Sequence, residues 1–168
     1  FVLQKFVRSV LGTNNIDHCA RLCHSSTVTG LQQSIGSGAM TNDIPSIKDS
    51  DVIFIIGSDT TCAHPIIASK IQQAVMQHGA RLIVADPKRV GIAEKAELYV
   101  AHRPGTDVML LNAIMAEIIR HDWQDKAYIA ERTEGIEGLY AELAKEDYSL
   151  ENAALITGVK AEDIARIA

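Results

Sequence analysis

No stretch of this 168-residue chain is apolar for long enough to cross a bilayer: the longest uninterrupted run, Val52 to Ile56, falls far short of a spanning helix, which needs roughly 20 residues. Basic clusters are missing too. With 16 Lys and Arg against 21 Asp and Glu, the net charge is -5, and a phosphate-backbone partner such as DNA meets no counter-surface. Cysteine is scarce: three residues, an odd number, argue against a disulfide framework and fit a reducing compartment. A cytoplasmic location is the expectation, although an export signal further upstream would lie outside this sequence. No internal repeat, low-complexity stretch or Pro/Gly linker marks a boundary, so residues 1–168 read as one α/β domain. What is present is apolar material, 47% of residues against 22% charged, enough to bury a core and too much for a disordered chain.

The hydrophobic pattern gives the fold class. DVIFIIGSD from Asp51 and ARLIVADPKR from Ala80 are continuous apolar runs of the kind buried on both faces of a parallel sheet. Between them, Ile67, Ile71, Val75 and Met76 recur at helical spacing, with Pro65 in a first-turn position and Gly79 as C-cap. A short GIAEKA helix leads to a third strand in AELYVAHRPG, and a long helix follows in TDVMLLNAIMAEIIRHD with Thr106 as N-cap. The order βαβαβα predicts a three-layer Rossmann-like domain with a mainly parallel sheet. Beyond it, QDKAYIAERT, GIEGLYAELAKE, SLENAALITG and a segment from Lys160 read as a helical C-terminal tail, with Trp123 and Tyr128 expected to anchor it. Met109, Leu110, Ile114 and Ile118 make a core stripe, while His64, His78, His102 and His121 read as surface or helix-terminal residues. The opening helix, from Phe1, and the closing one both read as cut, as in an excised piece of a longer chain.

In open parallel sheets the ligand crevice lies at the carboxyl ends of the strands, where loops and helix N-termini converge. After the first strand, Gly57 permits a tight turn, and Ser58, Asp59, Thr60 and Thr61 offer polar groups just before a helix. This is a seat for a diphosphate, or an ordinary βα loop, since it is neither a GxGxxG nor a Walker sequence. Asp86, at the end of the second strand, stands where an acidic side chain accepts ribose hydroxyls; alternatively Asp86 and Pro87 form a turn. After the third strand, Pro104 and Gly105 shape a loop, and Asp107 is a carboxylate able to accept two N–H groups from a guanine edge. Its alternative role is an acidic residue favoured by the helix macrodipole. Three such loops in succession read as a nucleotide-binding sheet.

Upstream, NNIDHCARLCHSSTV holds the densest reactive group: Cys19 and Cys23, flanked by His18 and His24. Thiolate is a soft ligand for zinc, iron-sulfur clusters or molybdenum-type metals. Arg21, His24 and the helix that starts just after Cys23 all favour the thiolate form. For structural zinc the pattern is poor, because the remaining cysteine, Cys62, belongs to a different loop. Both cysteines also fit as small buried hydrophobes.

The segment CARLCHSSTVTGLQQSIGSGAMTNDIPSIKDSDVIFIIGSD, followed by HPI, ADPKR and RPGTD, resembles the large catalytic subunit of molybdopterin oxidoreductases, above all formate dehydrogenase alpha subunits. The resemblance runs over almost the whole chain and is most specific at the Cys-His pair in ARLCHSSTV. It implies oxidation of formate to carbon dioxide, with Cys23 as ligand to molybdenum or tungsten and His24 beside the substrate. It also implies a bis(molybdopterin guanine dinucleotide) cofactor. Gly57, Ser58, Asp59, Thr60, Thr61, Cys62 and His64 would line one dinucleotide. Asp86, Pro87, Lys88 and Arg89 would take its guanosine ribose side, and Gly105, Thr106 and Asp107 its guanosine end. Cys19 is implied near the cofactor but not as a metal ligand. Further implied partners are electron-transfer subunits and a four-iron four-sulfur cluster, whose Cys-rich segment does not occur in these residues, nor does a second cofactor-binding domain or the arginine that holds formate. By itself the chain is therefore expected to be inactive. Two other classes remain open: a metal-free structural domain, as in the large subunit of respiratory NADH dehydrogenases, and a stand-alone nucleotide-binding module.

Overall fold

In the computed structural model, which describes residues 1–168, the three apolar runs pair into one sheet: β1 (Val52–Ile56), β2 (Arg81–Ala85) and β3 (Leu98–Val100), in the order β1-β2-β3 and parallel throughout. Ten α-helices accompany them. Helices α1 (Val2–Ser9), α2 (Ala20–Cys23) and α3 (Ser25–Ile35) belong to a first unit, Phe1–Asp43. The second unit, Ile44–Ala168, holds the sheet and α4 (Thr60–Ala63), α5 (Pro65–His78), α6 (Asp107–Arg120), α7 (Lys126–Arg132), α8 (Ile136–Leu143), α9 (Leu150–Thr157) and α10 (Ala161–Ile167). Single turns of tighter helix cover Pro45–Asp49, Gly91–Lys95 and Glu146–Tyr148. The architecture is thus α/β, with a small parallel sheet in a mostly helical chain.

Every fully buried side chain lies in the second unit. Alternation along the strands sorts them into two clusters, one on each sheet face. Ile55, Leu82 and Val84 join Ala68 and Ile71 of α5 and Ile92 of the connection to β3. Ala85 and Val100 point the other way, onto Leu110 and Ile114 of α6 and Ala153, Val159 and Ile164 from the C-terminal segment. The C-terminal helices therefore do more than trail behind the sheet: α9, α10 and Val159 between them complete the core of one face. Met109 and Ile118 pack at its margin, as the helical stripe predicts.

Helix ends follow local chemistry. Pro65 starts α5 and Gly79, at φ 75°, closes it, because the residue after a helix often adopts the left-handed conformation that glycine tolerates. Asp125 and Ser149 cap α7 and α9 by accepting the backbone N–H of Tyr128 and Asn152. Thr106 does precede α6 but caps differently from expectation: its hydroxyl donates to the Arg103 carbonyl at 2.7 Å instead of accepting from the helix. Other expectations fail through exposure. Met76 is 71% exposed and lies off the apolar stripe of α5. Trp123, 58% exposed, stacks on His121 with ring centroids 4.6 Å apart, and Tyr128 is 62% exposed, so neither anchors the tail in the core.

At the amino ends of the strands an ion network ties three elements. Arg81 at the start of β2 donates through Nε and Nη2 to the two Glu97 carboxylate oxygens at 2.8 and 2.7 Å, and Arg166 of α10 adds a bond of 3.1 Å. The Arg81 guanidinium holds the Glu97 carboxyl down at about 2, from an ordinary value of 4.5. A depressed carboxylate stabilises the fold above its unfolded value and loses that contribution as pH falls through its folded one. Glu97→Gln is therefore expected to lower the melting temperature slightly at pH 7, with the deficit shrinking as pH drops from 4.5 toward 2; a deficit constant across that range would contradict the network. Truncation of the core acts more strongly. Leu110→Ala, at a fully buried position, is expected to cost about 2–5 kcal/mol in urea unfolding, transfer and cavity together.

Candidate functional site

Two ladder bonds beyond the strands set the geometry of the carboxyl edge. The Gly57 N–H donates to the Ala85 carbonyl at 3.0 Å and the Asp86 N–H to the Val100 carbonyl at 3.1 Å, so the loops leave β1, β2 and β3 from one edge of the sheet. All three groups of loop residues expected to contact a dinucleotide in this unit emerge there.

The first loop turns at Gly57, whose φ of 60° suits glycine and whose missing side chain leaves open space. It then enters a feature absent from the sequence reading, the single turn α4. Thr60 is buried and its hydroxyl lies 3.1 Å from that of Ser58. Thr61 faces Gly91 across the loop, where an added Cβ would meet its hydroxyl at 3.4 Å. Asp59 presents a buried Oδ1 with no hydrogen-bond partner. The hydrogen bond between Cys62 and Asp59 and the charge of that carboxylate push the exposed Cys62 thiol up from its ordinary value, with Lys88 opposing weakly. His64 separates α4 from α5 and is exposed.

In the second loop, Asp86 is nearly buried and accepts the Lys88 backbone N–H at 2.8 Å, the turn that was the alternative reading of Asp86 and Pro87. One carboxylate oxygen thus shapes the loop. Tyr99 steadies it from β3 by donating its hydroxyl to the Asp86 carbonyl at 2.9 Å, and Arg89 lies over the Tyr99 ring, 5.6 Å from its centroid.

The third loop turns at Gly105, φ 80°, and is pinned to α9: Arg103 donates to the carbonyls of Leu155 and Ile156 at 2.6 and 3.0 Å. Asp107 opens α6 and is half exposed, with Oδ1 3.0 Å from Nε2 of His102. His102 is no surface residue. It is 2% exposed, because it continues the alternation of Leu98 and Val100 toward the α6 face. That parity is legible in the sequence, whereas residue type alone points a histidine next to RPG toward the surface.

Cys19, Cys23 and His24 lie in the first unit. Cys23 ends α2 and His24 stands between α2 and α3, so the pair marks the break between two helices. Both thiols are free and exposed, which excludes the buried-hydrophobe alternative. Arg21 is taken by Asp17, four residues back, and this bond holds the Asp17 carboxyl below its ordinary value. The guanidinium of Arg21 is therefore already paired. No group of three or more His, Cys, Asp or Glu side chains is placed to hold a metal ion.

A parallel α/β unit with glycine-bearing polar loops on its carboxyl edge defines a class of protein that takes ligands at its strand ends. Comparison with known proteins narrows that class. The family model of the molybdopterin oxidoreductases matches residues 1–166, and the chain belongs to that family. It is 47% identical over all 168 residues to the F420-dependent formate dehydrogenase 1 subunit alpha of Methanococcus maripaludis, covering 24% of it. To formate dehydrogenase H of Escherichia coli it is 42% identical over its full length, covering 23% of that protein. Acetylene hydratase from Pelobacter acetylenicus superposes with a TM-score of 0.79 at 26% identity, covering 99% of this chain and 22% of that one. The chain thus spans about a quarter of the length of the relatives it matches.

The Asp59 to Cys62 contact yields a direct check on the first loop. In Asp59→Asn, Cys62 is expected to react faster with iodoacetamide at neutral pH, read by mass spectrometry at that residue, because the group that disfavours its thiolate is gone. An unchanged rate would show that the two side chains do not meet.

Proposed function

We propose that this chain is the part of a formate-oxidising molybdopterin oxidoreductase that presents Cys23 to the metal and seats one of two molybdopterin guanine dinucleotides. The observation that carries the reading is the match over all 168 residues to a quarter of the length of formate dehydrogenases at 42–47% identity, together with a free, exposed cysteine and a histidine side by side. Fold alone does not choose the reaction, since a hydratase has the same fold in this region.

When bound, molybdenum or tungsten in its bis(molybdopterin guanine dinucleotide) supplies a two-electron acceptor for conversion of formate to carbon dioxide and a proton. Cys23 is the residue that would hold the metal, as a soft thiolate. His24 is the second catalytic candidate: its imidazole takes up and passes on the proton, a task suited to a side chain whose unperturbed pKa is about 6.5. A four-iron four-sulfur cluster elsewhere in the parent protein, and electron-transfer subunits bound to it, would take up the electrons.

In the same reading residues 1–168 work as one three-layer Rossmann-like domain. Gly57, Ser58, Asp59, Thr60, Thr61, Cys62 and His64 line the dinucleotide, Asp86 through Arg89 take its ribose side, and Gly105, Thr106 and Asp107 its guanine end. Cys19 is not a metal ligand in this reading. The open space at Gly57 and the unpartnered Asp59 oxygen support a polar ligand at the first loop. We place the parent in the cytoplasm, in keeping with free thiols in a reducing compartment. No helix is long and apolar enough to cross a membrane.

In the full-length parent, Cys23→Ala is expected to abolish formate oxidation while thermal unfolding of the protein stays close to that of the wild type. Turnover retained in that variant would remove the catalytic assignment. A parent that contains neither molybdenum nor tungsten would favour the structural-domain reading instead.

A further inference from the structure

His102 is the least exposed titratable side chain on the carboxyl edge of the sheet, with a side-chain exposure of 1%. Nothing in the proposed cofactor contacts uses it. Its Nε2 lies 3.0 Å from Asp107 Oδ1, whereas its Nδ1 is buried with no partner at all. A carboxylate only accepts, so the ring donates through Nε2–H, and its other nitrogen, Nδ1, is left without a partner. Burying a polar atom unpaired is unfavourable, so the ring is held in place by something other than its own hydrogen bonding. The alternation of β3 turns it inward beneath the first turn of α6, five residues before its partner, and Arg103, bonded to the end of α9, fixes the loop between them.

We infer that His102 is a specificity-determining residue that positions the Asp107 carboxylate to read guanine, an inference that rests on the proposed guanine contact of Asp107. A carboxylate recognises guanine by accepting N1–H on one oxygen and the exocyclic N2–H on the other, which requires its plane to be fixed. An aspartate at a helix start that is free to rotate also turns toward the backbone N–H groups there. In this structure Asp107 caps nothing: its Oδ1 is bonded to a rigid, buried ring, and the half-exposed side chain is left with acceptor capacity facing outward. Oδ1 has a second lone pair and Oδ2 two, so the bond from His102 leaves both oxygens competent toward a base. The ring thus sets the orientation of the carboxylate before any base arrives, and the ordering cost of binding is lower.

The test uses the full-length protein purified without cofactor and reads hydrogen exchange in a peptide spanning residues 102–110 during titration with GDP, inosine 5'-diphosphate or ADP. The peptide reports this site alone. Inosine lacks the exocyclic amine, so the ratio of its apparent Kd to that of GDP measures the second hydrogen bond; about tenfold or more is expected in the wild type, the size of one well-formed contact to a base edge. His102→Phe is expected to bring the ratio close to one, and His102→Gln, whose amide nitrogen sits near the position of Nε2, to keep most of it. Melting temperatures show whether either variant is unfolded, and the glutamine variant carries the test if the phenylalanine one is. A wild-type ratio retained in His102→Phe while Asp107→Asn abolishes it would overturn the role of His102 and leave the guanine reading standing. Loss of the ratio in the phenylalanine and glutamine variants alike would also overturn it, since the ring would then matter for packing and not for its donated bond. No preference for GDP in the wild type, or one that survives Asp107→Asn, would overturn the guanine reading and the inference with it.

Discussion

The parallel ladder is the constraint from which the rest follows. Strands that run in one direction put all their carboxyl ends on one edge, and the bonds from Gly57 to Ala85 and from Asp86 to Val100 carry the ladder one residue past β1 and β2. Because both faces of the sheet are covered by apolar clusters, the strands cannot slip by one residue without turning one cluster toward the wrong face. Register therefore fixes where each loop begins. Residues 57–64, 86–89 and 105–107, far apart in the chain, become neighbours along an edge for reasons that lie in the core and not in the loops.

Most of this order is legible in the sequence. Two continuous apolar runs and the short AELYV segment mark three strands, Pro65 and Gly79 bracket α5, and the stripe from Met109 to Ile118 marks the inward face of α6. What escaped was decided by tertiary context. The single turn at Thr60–Ala63 has no hydrophobic period of its own and rests on Asp59, which begins it, and on Gly91, against which Thr61 packs. Met76, one position off the stripe that includes Ile71, faces outward despite its type. The C-terminal helices looked like an appendage because each is short, yet Ala153, Val159 and Ile164 are as deeply buried as the residues of the sheet.

The candidate site was legible in its location and less so in its detail. The rule that ligands meet parallel sheets at their carboxyl ends selects the three loops without any family knowledge. It does not say which polar side chains are already occupied. Asp86 spends one oxygen on its own turn and Thr106 spends its hydroxyl on Arg103, so both contribute less to a ligand than their chemistry alone implies. Asp59 is the opposite case, a buried acceptor oxygen left without a partner, open to a ligand hydroxyl or N–H but not to a phosphate oxygen. The proposed function then adds what geometry in this chain does not: a reason for two adjacent residues, Cys23 and His24, to be exposed at the junction of two helices.

Hydrogen exchange of the full-length protein with and without the proposed molybdenum or tungsten cofactor bears most directly on the claim that the three strand-end loops form one dinucleotide seat. Loading is expected to protect the backbone amides of residues 57–62, 86–89 and 105–107 together, with those around Cys23 and His24. Protection confined to one loop, or falling on the amino ends of the strands near Arg81 and Glu97, would contradict it.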